Sequence, residues 1–250
     1  MIKKNKLKSI ALDYSYLYGK RKFSNRVKRI LDTFFAFIFI ILLIPFFAIS
    51  AILIFISSGL PLFYISSRRI AANKNIKIFK FRTMVKDANS AKYRLNELYM
   101  SEGFLDIPIE SEVYTRVGRI LERTQLVETP QLFNIIFNGM SFIGNRPLPD
   151  ANIELLKMHK NWDKRFESPS GVSGISQVIG KTYLNTEDRL SIESMYSEVY
   201  NSSSGNILKC DFFIVYYTIK FILSGVPLKY EDAQKILLWA NGGMPLNENK

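Results

Sequence analysis

With one cysteine and one histidine in 250 residues, several chemistries are out of reach. Cys210 alone cannot close a disulfide within the chain, and with His159 it falls short of any Cys/His zinc cage. A Ser-His-Asp triad would have to use His159. Acidic side chains are scarce as well: 22 Asp and Glu face 34 Lys and Arg, a net charge of +12. That excess points to an anionic partner, whether nucleic acid, lipid headgroups or a phosphorylated substrate. Long polar tracts are missing too; 48% apolar residues and a mean hydropathy of +0.03 exclude a disordered chain. The length suits one or two domains with a sizeable core.

Charge and apolar residues are unevenly spread. Residues 1–29 hold ten basic side chains and a single acid, Asp13. From Thr33 to Ser58 no residue is charged, and Phe, Ile, Leu and Ala dominate. A run of about 20 apolar residues is what a helix needs to occupy a bilayer core, and this one lies too far from residue 1 for a simple cleavable signal. Pro45 sits near its middle and predicts a kink or break. Basic residues flank both sides, Lys28 and Arg29 before, Arg68 and Arg69 after. The tendency of positive charge to stay in the cytoplasm then favours a re-entrant helix-break-helix over a single crossing.

The remainder reads as an α+β, mainly helical body. Ile76–Thr83 alternates basic and apolar side chains as a half-buried strand does. Lys86–Met100, Arg116–Glu122 and Glu187–Val199 have helical composition or pattern. Pro130 opens a further helix that stops at Asn138-Gly139. Ile207–Leu223 is too polar to span a bilayer and predicts an amphipathic helix that lies on the membrane surface or closes the core. The expected organisation is a basic segment over 1–29, a membrane hairpin over 30–60 broken at Pro45, a compact body over 61–230 and a tail over 231–250.

Four stretches carry chemistry. Lys80-Phe81-Arg82-Thr83-Met84 places two cations on one face if extended, a pairing that suits a diphosphate. The second stretch runs from Gly118 to Asn134 and includes Leu126-Val127-Glu128-Thr129-Pro130-Gln131. The third, Met140-Ser141-Phe142-Ile143-Gly144-Asn145-Arg146-Pro147-Leu148-Pro149, holds an arginine in a loop stiffened by Gly and Pro. The fourth, from Pro169 to Lys181, contains Gly171, Gly174, Gln177 and Gly180, a glycine loop able to approach a ligand closely.

In this order, from about Arg26 to about Val226, the stretches resemble the bacterial sugar transferase family, the monotopic phosphoglycosyltransferases that start glycan assembly on a polyprenol phosphate. No single piece is specific; the ordered set is. The resemblance implies transfer of a phosphosugar from a UDP-sugar to undecaprenyl phosphate, with release of UMP and a requirement for Mg2+. It implies a bacterial inner-membrane protein with a catalytic body on the cytoplasmic face, initiating exopolysaccharide, capsule, lipopolysaccharide or glycoprotein glycan synthesis, with other glycan-assembly enzymes as possible partners. It also implies an Asp-Glu pair in which the Asp attacks the β-phosphate. Glu128 carries over as the catalytic and metal-binding carboxylate, Lys80, Arg82 and Arg146 as the diphosphate cradle, and Gln177 and Lys181 as donor-site residues.

One departure matters most. Where the family reads Leu-Asp-Glu-Leu-Pro-Gln, this chain has Val127 at the nucleophile position. Gly139 replaces the usual Asp before Met-Ser, and Ile175 a common Trp. Three explanations follow. Glu128 takes over, or the lipid phosphate attacks directly. Alternatively the chain is a disabled paralogue that binds nucleotide-sugar or partners an active transferase. Or another acid, Asp106, Glu110 or Glu112, reaches the site. Glu122 and Arg123 read as surface helix charges, His159 as an exposed helix residue and Cys210 as packed. Ser173 and Ser176 satisfy loop backbone groups. A membrane-tethered nucleic-acid-binding protein is the rival class, but the basic residues crowd beside the apolar run instead of interleaving with aromatics, so no nucleic acid is expected.

Overall fold

The structure, a computed structural model, describes residues 23–101, 104–180, 183–202 and 206–243. It opens on one long helix, α1 (Phe23–Ser58). Asn25, Lys28, Asp32, Ala36, Ser50 and Ile54 are buried on it, with Ile40, Leu43 and Phe47 half-buried between them. Steps of three and four residues trace a single stripe of a 3.6-residue helix, and that stripe lies on the body along the whole length of α1. The other faces expose Phe34, Phe37, Leu42, Ile44, Phe55 and Ile56, among others. Among the described residues α1 alone is long and apolar enough to cross a membrane by length and composition.

Two expectations about this helix are corrected. It continues without interruption through Pro45, so the break into two helices is not there. A proline removes one donor and crowds one carbonyl, while the turns on either side keep their own bonds. The boundary drawn at residue 30 also falls inside α1, because Lys28 and Arg29 are helical and bonded to the body; residues 1–22 of the basic segment lie outside the described residues.

Both ends of α1 are tied to the same body. Near its start Asn25 Nδ2 donates to the Tyr200 carbonyl at 3.2 Å, Lys28 Nζ to the Ile143 carbonyl at 3.0 Å, and Arg29 to the Met140 carbonyl at 2.9 Å. Lys28 also pairs with Asp211, and Asp32 accepts from the Ser141 hydroxyl at 2.6 Å. Near its end Ile54 packs with Phe81, Leu121 and Val127.

The strands β1 (Phe63–Ala71) and β2 (Lys74–Phe81) form an antiparallel hairpin, with Tyr64 opposite Lys80 and Arg68 opposite Ile76. Ile76 and Ile78 of β2 join Ala36 of α1 in one apolar cluster. The segment expected as a helix over 86–100 is mostly turns, with a 3-10 turn at Ala91–Tyr93 and a short α2 (Leu95–Tyr99). Arg94, left-handed at φ 46°, stands between the two and prevents one continuous helix. Strands β3 (Met100–Ser101) and β4 (Phe104–Leu105) close this excursion.

Helices α3 (Arg116–Arg123) and α4 (Gln131–Asn138) follow, the second ended by Gly139 at φ 75°. Strand β5 (Ser141–Ile143) pairs in parallel with β6 (Gly171–Ser173); α5 (Asp150–Leu156) lies between them in sequence. Helices α6 (Ile175–Ile179), α7 (Thr186–Asn201), α8 (Ile207–Ser224) and α9 (Tyr230–Ala240) enclose a shared core that includes Ile192, Tyr196, Cys210, Ala233 and Leu237. The expected tail over 231–250 is therefore corrected: Ala233, Ile236, Leu237 and Ala240 form a helical stripe that the core needs, and the body reaches Ala240. Helix α8 divides its faces, burying Ile207, Cys210 and Ile214 while Phe212, Tyr216, Ile219 and Leu223 stay exposed.

Candidate functional site

Lys80 lies two and four residues from Ile78 and Ile76, so the period-two alternation of β2 puts it on the inward face. A cation delivered there needs a carboxylate, and Glu128 supplies it: Lys80 Nζ lies 2.6 Å from Glu128 Oε1. Glu128 ends the 3-10 turn Leu126–Glu128, which follows Gln125 in a left-handed conformation at φ 59°. The tight turn sends neighbouring side chains apart. Val127, 3% exposed, packs with Ile54, Phe81 and Leu121, while Glu128 faces the cations.

The second partner is Arg146, from the loop after β5. Its Nη2 donates to Glu128 Oε1 at 2.7 Å, with Nη1 3.5 Å from Oε2. The loop itself is held from behind. Asn145 Nδ2 donates to the carbonyls of Arg165 and Glu193 at 2.9 and 3.0 Å, and Arg165 Nη2 donates to the Arg146 carbonyl at 2.8 Å. Arg165 pairs with Glu193 at 2.8 Å, both side chains fully buried, and Glu193 also accepts from Ser176 at 3.1 Å. Gly144 and Gly171 permit the close approach of β5 and β6: a Cβ on Gly144 would sit 2.1 Å from the Pro169 carbonyl oxygen, and one on Gly171 2.2 Å from the Gly144 nitrogen.

Burial opposes the ionised form of Glu128, but Arg146 and Lys80 more than reverse it and hold the carboxyl well below its ordinary range. Glu128 in turn raises Arg146, against the cost of burial. Burial lowers Lys80 despite Glu128, with Arg146 adding to the effect. Arg68 on β1 lies within electrostatic reach of Glu128 and Arg146, Arg189 on α7 of Arg146, and Glu122 on α3 of both Lys80 and Arg146. The result is a basic cluster around one carboxylate. Beside it opens a cavity of about 160 Å3 lined by Phe39 and Leu43 of α1, Leu132, Phe142 and Val172, with Gln125, Glu128 and Thr129. Mostly hydrocarbon walls that share Glu128 with the ion cluster suit an amphiphile with an anionic head.

Three of the residues expected in the site, Lys80, Glu128 and Arg146, come together. Arg82 does not join them: β2 ends at Phe81, and the guanidinium turns to the end of α1. There it donates to the carbonyls of Ser58, Gly59 and Leu60 at 2.9, 2.6 and 3.3 Å. The Ser58 carbonyl is one of the orphans of the helix terminus, and those of Gly59 and Leu60 belong to the chain just beyond it. Gln177 donates to the Val172 carbonyl at 3.1 Å and so braces β6, whose Val172 lines the cavity. Lys181 lies outside the described residues. Glu110 pairs with Arg123 at 3.8 Å on the exposed side and Glu112 is exposed, whereas Asp106 lies within electrostatic reach of Tyr114 and Arg189.

Sequence reasoning missed Arg68, Glu122, Arg189 and the Arg165–Glu193 pair. Arg68 read as a membrane flank and Glu122 as a surface charge. The only available signal was for Asn145, which sits inside the Gly-Asn-Arg-Pro motif.

The family model described as bacterial sugar transferase matches residues 23–225. The UDP-galactose-lipid carrier transferase of Erwinia amylovora is 30% identical over 218 residues, 85% of this chain and 43% of that protein. An Aeromonas hydrophila UDP-N-acetylgalactosamine-undecaprenyl-phosphate N-acetylgalactosaminephosphotransferase is 29% identical over 80% of this chain and 44% of its own length. The exopolysaccharide production protein ExoY of Rhizobium meliloti is 29% identical over 80% of this chain and 86% of its own. The chain thus spans less than half the length of the first two relatives.

Proposed function

The chain belongs to the bacterial sugar transferase family, and from that premise we propose that it moves a sugar phosphate from a UDP-sugar to undecaprenyl phosphate, releasing UMP. Such a step initiates surface polysaccharide or glycoconjugate synthesis. The observation that carries the reading is the carboxylate of Glu128, held between Lys80 and Arg146 and lining an apolar cavity partly walled by α1. The cations suit a diphosphate, and the cavity suits the first isoprene units of a lipid phosphate.

In the reaction an oxygen bonds to the sugar-bearing phosphorus, the bond from that phosphorus to the bridging oxygen breaks, and UMP leaves with the electron pair. The attacking oxygen belongs either to Glu128 or to the lipid phosphate. Double pairing lowers the basicity of Glu128, which favours direct attack by the lipid phosphate. Glu128 then fixes Lys80 and Arg146 where charge develops on the leaving phosphate.

The membrane reading follows from the surface. Exposed apolar side chains of α1 and of the outer face of α8, together with Phe133 and Phe137 of α4, would contact lipid. With both ends of α1 bonded to one body, we place the helix in one leaflet of the bacterial inner membrane with the body on the cytoplasmic side. The headgroup level is where a lipid phosphate lies.

The test is UMP release by the purified chain in nanodiscs with undecaprenyl phosphate and a panel including UDP-galactose and UDP-N-acetylgalactosamine. Release that disappears in Glu128→Ala supports the transferase. A second reading rests on Val127: a hydrocarbon stands where the family has its nucleophile, buried against Ile54, Phe81 and Leu121. On that reading the chain is a binding paralogue that assists an active transferase. Silence in the natural chain with UDP-galactose still bound would support it.

A further inference from the structure

The resemblance brings an expectation of Mg2+, and the donors around Glu128 can be tested against it. A resident Mg2+ asks for near-octahedral oxygens at about 2.0–2.1 Å, usually with one or two carboxylates among them. Among the described residues no group of three His, Cys, Asp or Glu side chains is placed to hold a metal ion. Glu128 is the central carboxylate, and its Oε1 already takes Lys80 at 2.6 Å and Arg146 at 2.7 Å. A dication on that oxygen would press against two cations. Glu122, the other carboxylate within reach, accepts from the Thr83 hydroxyl at 2.9 Å, and Val127 offers no donor. The set does not fit a resident Mg2+.

The same surroundings fit a polyanion. Lys80 and Arg146 touch the site, and Arg68 and Arg189 stand within electrostatic reach of it. Arg165 is matched by Glu193, which also acts on Arg189, and Glu122 offsets part of the charge of Lys80 and Arg146, so Lys80, Arg146 and Arg68 against Glu128 and Glu122 leave the surplus. An ammonium has three donors and a guanidinium five, more than one carboxylate absorbs. In a partly desolvated cluster each contact to a phosphate oxygen is stronger than in water. We infer that side-chain cations, with Lys80 and Arg146 at the centre, take the place of a divalent ion and hold the donor's diphosphate without metal. The inference rests on the proposed function and deepens it.

The experiment is calorimetric titration of the full chain in nanodiscs with UDP and with UDP-galactose, once in MgCl2 and once in excess EDTA. A metal-free cradle gives affinities in the two buffers that agree within about threefold, less than the tenfold that ~1.4 kcal/mol represents. Lys80→Gln and Arg68→Gln, each checked for an unchanged circular dichroism spectrum, should weaken binding at least about tenfold in both buffers. Mn2+ titrated as a spin-active surrogate should lose no more free signal with protein and UDP together than with UDP alone. Affinity that collapses in EDTA, or Mn2+ captured by the protein stoichiometrically beyond what UDP alone holds, overturns the inference and leaves the transferase reading standing. Absence of binding in both buffers overturns the two together.

Discussion

Val127 and Glu128 are adjacent in sequence and face opposite ways: the valine is sealed among Ile54, Phe81 and Leu121, and the glutamate is clamped between Lys80 and Arg146. One 3-10 turn thus joins the end of α1 to the charged site. The turn is fixed on one side by hydrocarbon packing and on the other by ion pairs, so a change at either residue is felt at both.

Val127→Asp places a carboxylate where Ile54, Phe81 and Leu121 offer no partner, and the expected cost is about 2–4 kcal/mol. The measurement is the urea midpoint of the detergent-solubilised chain. An unchanged midpoint would mean that the turn rotates the new side chain toward Lys80, and the packing account would be wrong.

Acid should weaken the clamp in a defined window. Below about pH 4.5, the ordinary value for this group, the unfolded carboxyl of Glu128 takes up a proton while the folded one stays ionised. Folding then loses the contribution of the pair as the pH falls. The stability gap between the natural chain and Glu128→Gln is therefore full at neutral pH and narrows below that window. A gap that widens on acidification would contradict the direction assigned to Glu128.

Arg82 should behave as a structural cap and not as a ligand for diphosphate. Three carbonyls at the end of α1 occupy its guanidinium, and a substrate would have to displace them. Arg82→Ala should cost about 2–3 kcal/mol of stability, within the range for bonds to a charged group. The variant that remains folded should bind UDP-galactose within about twofold of the natural chain, a difference under the ~1.4 kcal/mol of a tenfold change. Loss of affinity without loss of stability would return Arg82 to the cradle.

Much of this was legible in the sequence, and the misses have physical causes. Alternation at Ile76, Ile78 and Lys80 marked β2, and the stop at Asn138-Gly139 marked the end of α4. Lys80, Glu128 and Arg146 could be named because each lies in a motif. Arg82 was assigned to the same face as Lys80 on the assumption that the strand continued; it ends at Phe81. Arg68 and Glu122 were passed over because they are 54 residues apart, and only the folded chain brings both near Arg146. Helix α9 had a readable apolar stripe, but the polar residues after Ala240 drew the boundary too early.

Gly118 sets the distance between α3 and the segment that leaves β2. A Cβ there would lie 1.9 Å from the Thr83 carbonyl oxygen, which also accepts from the Thr115 amide at 3.0 Å. Neither backbone can yield without opening the Thr115 cap, whose hydroxyl accepts from the Gly118 amide at 2.8 Å. Gly118→Ala should therefore cost about 3 kcal/mol or more, as overpacking against backbone does. Gly225→Ala, with φ 69° and open space around it, should cost only about 1 kcal/mol from the left-handed strain. A loss at Gly118 no larger than that at Gly225 would show that the Thr83 carbonyl yields to the added methyl, and the close-approach account would be wrong.

The placement of α1 in one leaflet has a direct test, because Cys210 is buried and leaves the natural chain silent to thiol reagents. Arg26→Cys and Ser57→Cys put exposed thiols near the two ends of the helix. At about 1.5 Å per residue a straight α1 would run about 54 Å, ample to cross a bilayer of about 30 Å. Crossing, however, would carry one end away from the body. It would break either the bonds of Asn25, Lys28 and Arg29 or those of Arg82 to Ser58, Gly59 and Leu60. Lys28 and Asp32 make that especially costly, since they would lose partners on the body and face hydrocarbon instead. An impermeant maleimide should therefore label neither cysteine from the periplasmic side and both after the membrane is opened. Labelling of one from outside would mean that α1 spans the bilayer and detaches from the body along at least part of its buried stripe.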